Sequence, residues 1–195
     1  MTRLLFKQLI IIVLIVLSVL AIIFGSYLPL AKSKNFIVGL TLLPTMKTIN
    51  EFKTVFDRAF KFYSPIGDEE IAKFLVKSIF QIMSQPNQSE AVSRLLISYI
   101  EPYMFKNDVR HLLALGQTYQ LLWANYSQKE EDFKKAENYF LEAYRIGPNL
   151  PPVLYGLLDL YRMSRNDQKI KEFGEIILKY WPDDKEVAEI VGLIN

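Results

Sequence analysis

From Leu9 to Phe24 the chain reads LIIIVLIVLSVLAIIF, with Ser18 its only polar side chain. A helix apolar on every side has no solvent face, so a run this uniform belongs in a lipid layer or deep in a large core. A cleavable signal carries an apolar stretch of roughly 7–15 residues followed by a small-x-small site. Here the run continues through Gly25-Ser-Tyr-Leu-Pro-Leu-Ala31, and the first small-x-small triplet, Ala31-Lys32-Ser33, lies too far along. Taken from residue 9 to 31, the segment makes a helix of about 34 Å at about 1.5 Å per residue, enough for the hydrocarbon layer. Tyr27, Gly25 and Pro29 suit its far end, near an interface. The expectation is an uncleaved, single-pass membrane anchor over residues 9–31, preceded by a short stub, 1–8. Arg3, Lys7 and the amino terminus flank one side; Lys32, Lys34 and, farther off, Lys47 flank the other. The positive-inside rule is nearly tied and leans towards a cytoplasmic N-terminus, with the body on the extracytoplasmic side.

Arg3 and Lys7 are the only charged side chains before Lys32. The whole chain has 23 basic and 21 acidic residues, so everything after the anchor balances to neutrality. A neutral body argues against nucleic acid, whose phosphates demand a net basic face. With no Cys, disulfides, thiolate metal sites, Cys nucleophiles and Cys lipidation are excluded, and one His cannot build an imidazole-rich metal site. The chain's 11 Tyr, 13 Phe and 2 Trp exclude a disordered body.

After residue 35 the apolar pattern has the helical period throughout, which gives an all-α fold class. Thr48-Ile-Asn-Glu51 fits a capping box, opening a helix with the stripe Phe52, Phe56, Ala59, Phe60 that ends at Ser64-Pro65. A second helix from about Asp68 turns Ile71, Phe74, Leu75, Ile79, Ile82 and Met83 inward and breaks at Pro86-Asn87. A third from about Ser89 buries Val92, Leu95, Leu96, Tyr99 and Ile100 and stops near Pro102. Further helices are expected near 108–124, 131–146, 151–164 and 167–180, with a short one from about Asp184.

Part of this body repeats. Pro148 and Pro182 stand 34 residues apart, each closing a helix. Ahead of Pro148 come Ala136, Phe140 and Ala143, and farther upstream Leu112, Leu115, Gly116 and Tyr119. The next unit offers Leu154, Leu157, Leu158 and Tyr161, then Ile170, Gly174, Ile177 and Pro182. From Gly116 to Ala136 there are 20 residues where such a repeat has about 12, so the first unit holds an insertion near 123–132, read as a polar hairpin. Residues 49–66 look like the second helix of a worn third copy.

These positions resemble those of a tetratricopeptide repeat, whose helix pairs cross where a small residue meets an aromatic one. With the anchor read from the apolar run, the resemblance implies a single N-terminal transmembrane helix followed by a short tetratricopeptide-type α-solenoid of antiparallel helix pairs. Its domains would be degenerate helical repeats over 32–106, two repeat units over 107–182 and a capping helix over 183–195. It also implies a concave groove lined by Arg110, Leu113, Gln117, Gln120 and Leu121 from the first unit, and by Pro152, Tyr155, Asp159, Arg162 and Met163 from the second. Such a mixed polar and apolar lining suits an extended peptide or a helix.

From about Tyr27 to Asp184 the layout is also similar to the C-terminal tail of bacterial O-antigen ligase and polymerase family membrane proteins. The residues that carry this are FDRAFKFYSPIGDEEIAKFL (56–75), DVRHLLALGQTYQLL (108–122) and KKAENYFLEAYRIGPNLPPVLYGLLDLY (134–161). The resemblance implies a bacterial envelope membrane and a neighbourhood of glycan assembly. Those enzymes hold their substrate among many spans where this chain offers one. The expected function is a membrane-anchored scaffold for a protein or peptide partner, without enzymatic activity, cofactor or metal. The alternative is a non-catalytic part or accessory subunit of such an enzyme. His111 is expected at the surface or satisfied by a neighbour, and the acidic pairs Glu69-Glu70, Glu130-Glu131 and Asp183-Asp184 at helix starts, where they suit the dipole.

Overall fold

A computed structural model describes residues 2–193, with side chains from residue 6; Met1, Ile194 and Asn195, at the ends of the expected stub and capping helix, lie outside the described residues. The fold is all-helical, and no strand occurs among the described residues. It divides into two compact units at Ile71.

The first unit is built on the apolar segment. α1 (Thr2–Ile22) passes through a π-helical turn, Ile23–Tyr27, into α2 (Leu28–Leu42). Pro29 explains the turn, because it has no N–H for the carbonyl four residues back and its ring crowds that carbonyl. The helix therefore continues beyond Ala31. Phe6–Thr45 is long and apolar enough to cross a membrane, and its most apolar window is not buried among the described residues. From Lys32 onward one face becomes buried: Lys32, Phe36 and Gly39, at i, i+4 and i+7.

α3 (Ile49–Phe60) covers that face. The Thr48 hydroxyl accepts from Glu51 N, while the Glu51 carboxylate accepts from Lys47 N, one residue before the reciprocal partner a capping box requires. The Phe56 ring packs on Phe36 and Phe52, at centroid distances of 6.0 and 4.7 Å. A Cβ at Gly39 would lie 2.8 Å from that ring, so only glycine admits it there. After α3 the chain folds back over α2. Lys32 Nζ donates to the Phe62 carbonyl at 2.9 Å and pairs with Asp68 at 2.5 Å, and it is 1% exposed.

α4 (Asp68–Met83) leads into the second unit, made of α5 (Glu90–Ile100), α6 (Val109–Leu122), α7 (Glu130–Ile146), α8 (Pro151–Ser164), α9 (Asp167–Tyr180) and α10 (Lys185–Gly192). Side-chain caps start α5 at Ser89, α6 at Asp108, α9 at Asn166 and α10 at Asp184. Each helix from α6 to α10 packs on the next, and α6 also touches α8. Three expected core residues are exposed: Phe74, Val92 and Leu95. Their stripes are wider than the neighbouring helices cover.

The insertion is not a polar hairpin. α6 continues as a π-helical turn, Trp123–Ser127, and the chain reverses at Gln128, whose φ of 50° is left-handed. The segment is fastened at three points. Trp123 meets Phe133 edge-on at 5.1 Å. The Tyr126 hydroxyl donates to the Met83 carbonyl. Asp132, 1% exposed, takes two hydrogen bonds from the Arg94 guanidinium, at 2.6 and 3.0 Å, and one from Ser127.

Candidate functional site

The residues expected to pack the repeats are brought together. Leu112, Leu115, Gly116, Tyr119, Ala136, Phe140 and Ala143 are buried, as are Leu154, Leu157, Leu158, Tyr161, Ile170, Gly174 and Ile177. Pro148 and Pro182 lie in exposed turns. Phe140 is the pivot. A Cβ at Gly116 on α6 would lie 3.0 Å from its ring, and one at Gly156 on α8 2.7 Å. One phenyl ring thus fills the space left by two glycines on its two neighbours. Gly156 went unrecognised in the sequence, because the position matched for glycine in that unit is Leu158. Gly174, 34 residues after Phe140, is the place Val191 of α10 enters; a Cβ there would meet the Val191 methyl at 2.3 Å.

The tyrosines at corresponding places in the two expected repeats, Tyr119 and Tyr161, behave alike. The Tyr119 hydroxyl donates to Glu101 (2.7 Å), and the Tyr161 hydroxyl to Glu137 (2.8 Å). Tyr119 stacks on Tyr139 at 5.8 Å, and Tyr161 on Phe173 at 5.5 Å. Lys135 sits over the Tyr119 ring and Lys169 over the Phe173 ring. Counted from the tyrosine, the stacked ring and the lysine lie eight residues farther along for Tyr119 than for Tyr161, the length of the insertion, whereas Glu101 precedes Tyr119 by 18 residues and Glu137 precedes Tyr161 by 24. Burial, with the Glu101 and Glu137 carboxylates, pushes the Tyr119 and Tyr161 hydroxyls far above the usual phenol range. Glu101 also accepts from Tyr139, and Lys106 flanks that pair. Burial raises the Glu101 carboxyl, but these hydrogen bonds outweigh it and leave the group below its ordinary value. Nothing in the sequence pointed to Glu101 or Tyr139, since neither belongs to the quoted repeat pattern.

The expected groove divides in two. Gln117, Gln120, Leu121 and Met163 line an open cleft of about 370 Å³ together with Phe80, Ala124 and Asn125. Gln120 Nε2 donates to Met163 Sδ at 3.2 Å, which ties α6 to α8 across its floor. Met163, Trp123 and Ala124 continue this cleft into a second hollow of similar size, bordered by Phe133 and Arg165. The insertion therefore forms part of the wall. Phe80 comes from α4, and no repeat pattern could have placed it there.

The other half is taken by the chain itself. The Tyr155 hydroxyl donates to Asp184, which pushes it up to about 12, and its ring lies on Trp181 at 6.2 Å. Arg162 pairs with Asp159 at 3.5 Å and faces Glu186 at 3.9 Å. Tyr155, Asp159 and Arg162 are thus engaged by the start of α10 and by one another. Arg110 is pinned to Asp108 at the mouth of α6, at 2.6 Å, Leu113 is half-buried, and Pro152 is exposed. These three lie outside the cleft lining.

His111 is buried, not at the surface; its Nδ1 accepts from the Phe105 N–H at 3.2 Å, so the ring proton sits on Nε2. Glu69-Glu70 and Glu130-Glu131 stand in first helical turns, and Asp184 caps α10 by accepting from Val187 N. No family model, curated protein or solved structure matches the chain.

Proposed function

We propose that the chain is a membrane-anchored helical-repeat module of the tetratricopeptide type, which holds a protein or peptide partner and carries out no reaction of its own. The repeat reading is supported by the stacked ring pairs, Tyr119 on Tyr139 and Tyr161 on Phe173, whose spacings match once the eight-residue insertion is allowed for. The observation that carries the function is the cleft. Phe80, Leu121 and Met163 offer apolar surface beside the amides of Gln117, Gln120 and Asn125, which can pair with the backbone or polar side chains of an extended peptide. The long apolar helix supports the membrane attachment. The likeness to O-antigen ligase tails favours a bacterial envelope membrane, and the Arg3/Lys7 flank favours a body on the extracytoplasmic side.

A photo-crosslinking residue placed at Gln117 or at Gln120, in the full chain in its own membrane, should give one and the same discrete adduct. The same residue at Glu175, exposed on α9, should give none. An adduct formed at Glu175 and absent from both glutamine positions would place the interaction face elsewhere and refute the cleft.

A further inference from the structure

Lys32 is the first charged residue after the apolar segment, yet its ammonium group does not reach solvent. It is neutralised by Asp68 and capped by the Phe62 carbonyl, and its Cδ lies 3.6 Å from where a Cβ on Gly67 would stand. That single side chain holds the loop between α3 and α4, residues 61–67, against the helix at the level where the apolar run ends. Gly67, with φ of 108°, makes the turn that brings Asp68 back onto Lys32. The loop then turns two large apolar side chains outward: Tyr63 is 68% exposed and Ile66 61%. On α2 the apolar surface also runs past Lys32, through Leu30, Ile37 and Val38, all more than half exposed. Ser33, Lys34 and Thr41 interrupt that face; the Thr41 hydroxyl donates to the Ile37 carbonyl, and a long lysine stem can lie along such a surface while its head reaches water.

We infer that the 61–67 loop and the exposed face of α2 form a collar that sits in the interfacial layer of the bilayer, with Tyr63 and Ile66 among the headgroups and upper acyl chains. This rests on the membrane attachment proposed above and adds a second lipid contact to it. The occupant follows from continuity: the collar's apolar surface adjoins that of the spanning helix, and a bilayer covering one reaches the other. Tyrosine is a preferred residue at that depth. The ion pair to Asp68 lets the Lys32 charge lie at this level without facing hydrocarbon.

The chain has no cysteine, so single-cysteine variants can carry an environment-sensitive fluorophore at chosen points. The full chain would be reconstituted in phosphatidylcholine vesicles containing lipid nitroxide-labelled either near the glycerol backbone or near the chain end. Leu20→Cys reports on the span, Tyr63→Cys and Ile66→Cys on the collar, and Gln168→Cys, exposed on α9, on water. The shallow label should quench the Tyr63 and Ile66 probes at least about twofold more than the Gln168 probe, and the deep label should act mainly on Leu20. Lys32→Met should return the Ile66 probe to the level of Gln168. Quenching at Leu20 with Tyr63 and Ile66 indistinguishable from Gln168 would overturn the collar and leave the anchor standing. No quenching at Leu20 would overturn the anchor reading itself. If Ile66 stays quenched in Lys32→Met, the buried ion pair is not what holds the loop down, and that part of the inference fails.

Discussion

Phe140→Ala should lower the stability of the chain by about 3–5 kcal/mol, the range for truncating a buried phenylalanine. The ring is fully buried and serves two helix contacts at once, against Gly116 on α6 and Gly156 on α8. Removing it opens a hole that backbone glycines cannot fill. The complementary change, Gly116→Leu, should cost about 1–3 kcal/mol by overpacking, because its Cβ would already crowd the ring. Gln117→Ala, one residue on but exposed at the cleft, should shift stability by less than about 0.5 kcal/mol. Denaturant melts of the second-unit helices measure all three. A Gly116→Leu variant that melts like the parent while Gln117→Ala unfolds would show the helix register to be wrong, and the cleft residues would fall with it.

The second large effect is at Arg94. Arg94→Ala strands the Asp132 carboxylate, which is almost wholly buried, and should cost about 3 kcal/mol, the low end for a broken buried pair, since the arginine itself is a third exposed. The pH dependence has a definite sign. Burial raises the Asp132 carboxyl, but hydrogen bonds from Arg94 and Ser127 outweigh that and hold it below the ordinary aspartate value. A carboxyl depressed by folding stabilises fully above its unfolded value of about 3.9, and that contribution is lost as pH falls through the folded value. Without Arg94 only the Ser127 hydrogen bond and the nearby Lys129 charge are left against burial, so the carboxyl lies higher than in the parent and protonation costs the variant less. The stability gap between parent and Arg94→Ala should therefore be widest near neutral pH and shrink below about pH 4. A gap that stays constant down to acid would mean that the pair is not formed in solution.

Local signals carried most of the helix boundaries. Thr48, Ser89 and Asp184 begin helices because their side chains satisfy free amides, and that is written in residue type and spacing. The apolar stripes of α6 to α9 gave the buried set for the same reason. Long-range partners are not written locally. In Glu130-Glu131-Asp132 all three acids suit a helix start, yet only Asp132 turns inward, because Arg94 from a separate helix waits there. Lys32 reads as a flanking charge of the span until Asp68 is placed beside it. Phe74, Val92 and Leu95 read as core because periodicity shows which face is apolar and not how much of it a neighbour covers. The cleft was half legible: the tetratricopeptide resemblance implied Gln117, Gln120, Leu121 and Met163, while Phe80 and the helical segment 123–127 entered from outside that pattern. The same resemblance assigned Tyr155 and Arg162 to the groove, without showing that Asp184 and Glu186 of the following segment meet them.

On the proposed function, the helical body stays on the membrane by its own uncleaved N-terminal helix. Alkaline carbonate extraction of cell membranes followed by intact-mass measurement tests it most directly. The chain should remain in the membrane pellet with residues 9–31 still attached, because the most apolar part of the helix is unburied among the described residues. Release into the supernatant, or a mature N-terminus near Lys34, would contradict it.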